Sequence, residues 1–153
     1  MGPEVEILAA DAGLWRAAVE VRPAPGAPVQ SSEGTMRSRM CGPWLLCDFK
    51  NETSGFEGHG IYGWDPIVRA YVATWVDPMR RTIVVMHGRW DEALQTMTFL
   101  GEMSRPDGSR MRWREVTERP TQDVRVFRSF VPAPDGPEFE VMTVRYERAA
   151  GAG

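Results

Sequence analysis

At 153 residues, with 42% hydrophobic and 25% charged residues, the chain has the size and composition of one soluble globular domain. That length buries a core without disulfides or a structural metal. A net charge of -3 and a pI near 5.5 argue against a broad nucleic-acid surface, which needs clustered positive charge.

No apolar run approaches the roughly 20 residues of a membrane-spanning helix, so neither nucleic acid nor membrane is an expected partner. The N-terminal MGPEVEILAADAG lacks a basic leader and carries early acids, which is unlike a signal peptide. Cys41 and Cys47 are then expected as reduced thiols in a cytoplasmic protein. Lys50 is the only lysine, and the arginine bias reads as codon usage rather than as phosphate binding.

In chain order, Pro3 to Leu14 has a helical stripe of Val5, Leu8, Ala9 and Leu14, expected to cap one end of the domain. Trp15–Val21 begins a strand pattern, and the proline-rich Arg22 to Pro28 interrupts it as a rigid loop. Nine more strands are expected: Thr35–Met40, Trp44–Lys50, Phe56–Trp64, Arg69–Val76, Thr82–Trp90, Gln95–Met103, Arg110–Val116, Val124–Val131 and Phe139–Arg148. Asp65-Pro66, Asp77-Pro78, Asp91-Glu92, Asp107-Gly108 and Asp135-Gly136 supply the turns. Residues 149–153 are expected as a frayed tail of a single domain.

About ten short antiparallel strands in sequence order must protect their edges. Closing the meander into an up-and-down barrel does so, whereas a sandwich needs Greek-key crossovers that the short breaks after Trp64 disfavour. The expected fold is therefore all-β, an antiparallel up-and-down barrel with a short N-terminal helix. Such a barrel has room for one small ligand.

Several stretches carry a family resemblance: Gly34, Gly42-Pro43-Trp44, Gly55 through Pro66 (GFEGHGIYGWDP) and Thr74-Trp75-Val76-Asp77. With these the chain resembles an uncharacterised bacterial family of lipocalin-like barrels within the calycins, from Trp15 to about Arg148. The resemblance implies a barrel with an internal cavity. It brings no agreed activity and no catalytic residues to carry over.

Gly58 to Gly63 matches GxGxxG by letter. A dinucleotide site needs a helix opening directly after the glycines, and here Trp64-Asp65-Pro66 and another strand follow. The glycines are better read as relieving crowding in a bent strand. His59 and His87 are the only histidines, and no ligand cluster has metal spacing, so no metal and no cofactor are expected. One histidine could still serve as an axial haem ligand, as related barrel families make conceivable. The alternative is an exposed or hydrogen-bonded imidazole. Gly-x-Ser-x-Gly is absent.

Pairing the hairpins assigns faces. Setting Tyr62 opposite Tyr71, Tyr71 opposite His87, His87 opposite Thr98 and Leu100 opposite Trp113 collects one face. It carries Tyr62, Tyr71, Trp75, His87, Thr98, Leu100, Glu102, Met111, Trp113, Glu115, Phe127 and Arg145, with Val85 and Arg125 placed beside them. The opposite face carries Val84, Met86, Met97 and Phe99, but also Arg110, Arg112, Arg114 and Arg128. Four arginines inside a barrel are hard to neutralise, so the first face is read as inward. A one-residue slip exchanges the faces.

The expected function is binding of a small, partly apolar molecule, aromatic or carboxylate-bearing. Tyr71 and His87 would orient it, with Arg125 and Arg145 near a carboxylate. The competing view makes Glu115, Arg125 and Arg145 only an ion-pair network between strands. A rival from another class is a cofactor-free enzyme, a cyclase, isomerase or hydratase of secondary metabolism, with His87 or Glu115 as base and Tyr71 as donor. A homodimer stays open.

Overall fold

The computed structural model describes residues 2–149. One helix, α1 (Pro3–Ala9), precedes ten strands: β1 (Gly13–Val21), β2 (Gln30–Cys41), β3 (Trp44–Asn51), β4 (Glu57–Asp65), β5 (Ala70–Val76), β6 (Val84–Asp91), β7 (Thr96–Ser104), β8 (Arg110–Thr121), β9 (Val124–Pro132) and β10 (Glu138–Arg148). Each strand pairs antiparallel with the next, and β10 closes on β1. All ten expected strands are present, and closure leaves no edge to protect.

Alternation along each strand separates inside from outside. β3 buries Leu45, Cys47, Phe49 and Asn51, and β6 buries Val84, Met86 and Gly88. β7 buries Met97, Phe99 and Met103. Each large apolar side chain removed from water in this way contributes about 1.5–3 kcal/mol.

The helix is shorter than expected. It ends at Ala9, and Gly13, at φ 127°, bends the chain into β1 in a conformation few other residues adopt. A seven-residue helix has little stability of its own, so packing must hold it. Leu8 is buried among Leu45, Tyr71 and Met97, which places the helix as a plug over one end of the barrel. Residues 150–153, most of the expected frayed tail, lie outside the described residues. Ala149 is tied down by a backbone hydrogen bond to Leu14.

The registers differ from expectation in a patterned way. Tyr62 faces Ala73 and His87 faces Leu100, each displaced by two residues, which preserves the face. Tyr71 faces Gly88 rather than His87, and Leu100 faces Arg114 rather than Trp113. These are single-residue slips, and each reverses a face. They cancel at β8. Met111, Trp113 and Glu115 therefore point inward as expected, while β6 and β7 present the opposite side.

Candidate functional site

At the plugged end, Tyr71 donates its hydroxyl to the Glu4 carbonyl at 3.0 Å, fastening the helix. Trp64 meets the Tyr71 ring edge-on at 5.0 Å. Arg125 is buried but points at Asp11, with Nε donating to Oδ1 at 2.7 Å. Arg119 donates to the other Asp11 oxygen at 3.0 Å and to the Ile7 carbonyl at 2.8 Å. Arg148 donates to the carbonyls of Ala10 and Ala12. Three cations thus gather on the carbonyls at and just beyond the C-terminus of α1, where the helix dipole favours them. A recess of about 520 Å³ opens beside the plug, between Pro3, Glu4, Ile7 and the rim residues Trp64, Tyr71 and Trp90.

Inside the barrel, Glu115 on β8 stands between Phe99 of β7 and Ser129 of β9, both buried and inward. Glu115 makes no ion pair among the described residues. Burial pushes its carboxyl up to about 7, against a lowering hydrogen bond from Trp113. Tyr62 reaches the same space from β4, its ring 5.7 Å from Phe99 and close to edge-on. Burial, and then the Glu115 charge, push its phenol well above the ordinary tyrosine range. Tyr146 on β10 is raised likewise, mainly by burial. Cys47 is pushed up to about 12 by burial, and its sulfur accepts from Ser38 Oγ at 3.2 Å. The Ser129 hydroxyl has no hydrogen-bond partner among the described residues.

One property distinguishes part of this wall. Glu115, Tyr62 and Tyr146 are surrounded by protein deeply enough for burial to dominate their titration. All three nevertheless keep solvent-accessible surface, as do the inward Met111, Trp113, Phe127 and Met142. The opposing wall of β5 to β7 is closed, with Ala73, Met86 and Phe99 at 0%, 2% and 5% exposure.

The two inward glycines of the GxGxxG stretch make room for an indole. Added Cβ atoms on Gly58 and Gly60 would collide with or crowd the Trp75 ring. Trp75 Nε1 donates to Asp77 Oδ2 at 2.9 Å, which fixes that ring in place. Gly63 faces outward beneath Trp44. The steric reading of these glycines holds.

Several expected ligand contacts are corrected. His87, Val85, Leu100 and Glu102 lie on the exposed outer wall, Leu100 at 58% exposure. Thr98 pairs with Arg89 and Val116 on that same outer side. The register slip into β6 is the cause. Arg145 points outward and pairs with Glu147, because β10 turns Val144 and Tyr146 inward instead. Arg125 is inward but committed to Asp11, so the expected Glu115–Arg125–Arg145 network does not form. Tyr71 is inward with its hydroxyl already engaged. Tyr62, Trp75, Met111, Trp113, Glu115 and Phe127 point inward as expected. Tyr146, Ser129, Cys47 and Phe99 were missed, although alternation along each strand marks Tyr146 and Phe99.

Neither imidazole faces the interior. His59 lies outside β4, with Nδ1 2.7 Å from Asp48 Oδ1, and His87 is exposed. The histidines therefore do not fit an axial ligand for haem held in the barrel. Among the described residues no group of three or more His, Cys, Asp or Glu could hold a metal ion. No helix among them is long and apolar enough to cross a membrane.

The fold and site define a class: a closed ten-stranded antiparallel barrel, plugged by one helix, with aromatic rings and the Glu115 carboxyl turned inward. The model of a family described as "Protein of unknown function (DUF1579)" matches residues 1–148, and the chain belongs to that family. Among solved structures it is similar to Rv2717c from M. tuberculosis, with a TM-score of 0.69 over 97% of this chain and 99% of that one. Identity is 13%, so the likeness is one of fold. No curated protein matches.

Proposed function

We propose that the protein binds a small, partly apolar molecule inside the barrel, as lipocalin-like barrels do. One observation carries the reading: Glu115, Tyr62 and Tyr146 are enclosed by protein yet keep accessible surface, as do Met111, Trp113 and Phe127 on the same inner side. A fully packed interior would bury them as it buries Ala73 and Met86. Aromatic walls with a few convergent polar groups suit a small ligand. Trp75, Trp113, Phe99 and Phe127 supply the walls, and Tyr62, Tyr146 and Glu115 the polar atoms. The setting we propose is cytoplasmic, where Cys41 and Cys47 stay as the free thiols they are.

Displacement of an environment-sensitive dye by a chemically broad library tests this. Saturable displacement, weakened by Trp113→Ala, supports the reading. No saturable binding, with the dye seated outside the barrel, overturns it.

A second reading is favoured by Glu115 alone. A solitary carboxyl near neutrality, close to two phenols, has the properties of a general base in a cofactor-free cyclase, isomerase or hydratase. His87 and Tyr71 leave that scheme on geometry. Under it, Glu115→Gln loses orders of magnitude in turnover of a bound substrate while still binding it.

A further inference from the structure

The charges on the interior wall of the cavity proposed above are unevenly placed. Among the described residues the inward cations lie at the two ends of the barrel: Arg119, Arg125 and Arg148 at the plugged end, and Arg80 at the other, against Asp77 and the Met103 sulfur. Arg119 and Arg125 share the one carboxylate of Asp11, Arg148 pairs with Asp123, and backbone carbonyls take up further guanidinium donors. Arg110, Arg112, Arg114 and Arg128 belong to the outer face, with Arg114 over Phe130 and Arg128 between Glu118 and Glu140. Mid-barrel, Glu115 is the only acidic or basic side chain among the described residues, and none of them supplies it a counter-ion. Facing it are Phe99 from β7, Ser129 from β9, Tyr62 from β4 and Tyr146 from β10, with Cys47 on β3 beyond.

A buried charge without a partner is costly, and an incoming ligand is the group able to supply one. Aromatic rings add to this, because their faces attract cations. Tyr62 and Phe99 meet close to edge-on beside the carboxyl, and Trp113 follows on the same strand face.

We propose that the cavity selects a nitrogen base, an amine-bearing molecule with an aromatic or aliphatic body, whose ammonium pairs with Glu115 among the rings of Tyr62, Trp113, Phe127 and Tyr146. This rests on the small-molecule reading of the barrel. It reverses the carboxylate preference expected from the sequence, since Arg145 lies outside and Arg125 is occupied. The phenols and the thiol stay neutral through the physiological range, all three being raised. Glu115 is then the group whose charge changes there.

Three matched probes test the inference: naphthylmethylamine, naphthylmethanol and naphthoate, titrated calorimetrically into the wild type and Glu115→Gln. At about pH 8 the wild type should prefer the amine to the alcohol by roughly tenfold or more and reject the carboxylate; below about pH 6 that preference should shrink. Glu115→Gln should bind amine and alcohol alike, with its melting curve confirming the fold. Amine affinity equal to or below alcohol affinity in the wild type, or preference for naphthoate, overturns the inference and leaves the cavity standing. No binding of any probe overturns both.

Discussion

Arg125 Nε donates to Asp11 Oδ1 at 2.7 Å, joining the wall of the barrel to the segment that follows its plug. Arg125 is 6% exposed at its side chain and Arg119 9%, and both depend on that one carboxylate. Replacing Asp11 by Ala leaves two buried guanidinium groups without a counter-charge. Breaking such an arrangement costs about 3 kcal/mol or more. The urea midpoint should fall accordingly. A loss no larger than that of a surface substitution would mean that the carbonyls of Ile7, Ala10 and Thr121 hold the arginines unaided.

Glu115 gives stability a direction with pH. Its carboxyl lies at about 7 in the folded protein against an ordinary 4.5, so folding favours the protonated form. Below the ordinary value both states hold the proton and nothing is lost. Between the two values the unfolded chain releases its proton while the folded protein keeps it, so stability falls as pH rises; above about 7 the full penalty applies, on the order of 3 kcal/mol. Glu115→Gln removes it. The variant should melt higher than wild type in mild alkali, and the difference should vanish in acid.

Tyr71→Phe separates anchoring from ligand chemistry. The hydroxyl donates to Glu4 in α1, and its loss should cost about 1 kcal/mol. Amide exchange over residues 3–9 should quicken, while ligand affinity stays as in wild type. A collapse of binding with no change in exchange would return Tyr71 to the site.

Gly58→Ala places a methyl group where the Trp75 indole lies, and that ring is held by its bond to Asp77. Overpacking of this kind costs about 1–3 kcal/mol. A shift in tryptophan emission should accompany it, because the indole must leave its seat. An unchanged spectrum would show that the strand yields instead of the ring.

His87→Ala should do little. The imidazole is on the outer wall, where substitutions stay within about 0.5 kcal/mol. Dye binding and any turnover should match wild type. A large effect on either would place His87 at a functional surface outside the barrel.

The strands, the closed meander and the capping helix could be read from the amino acids alone, because alternation and turn residues are local properties of the chain. The same holds for which side of β8 faces in. Arg110, Arg112 and Arg114 cannot be neutralised inside, so Met111, Trp113 and Glu115 must be there. Carrying that decision across hairpins was another matter. The breaks at residues 77–83 and 105–109 leave open which residue begins each turn, and one step there inverts a whole strand. His87 and Leu100 were lost to the outer wall in that way. The alternation within β6, β7 and β10 points to Met86, Phe99 and Tyr146 without any register. What only the closed barrel decided is company: Asp11 meeting Arg119 and Arg125 across more than a hundred residues, and Glu115 left alone with Tyr62 and Tyr146. Charge pairing across that distance depends on closure, and no local pattern encodes it.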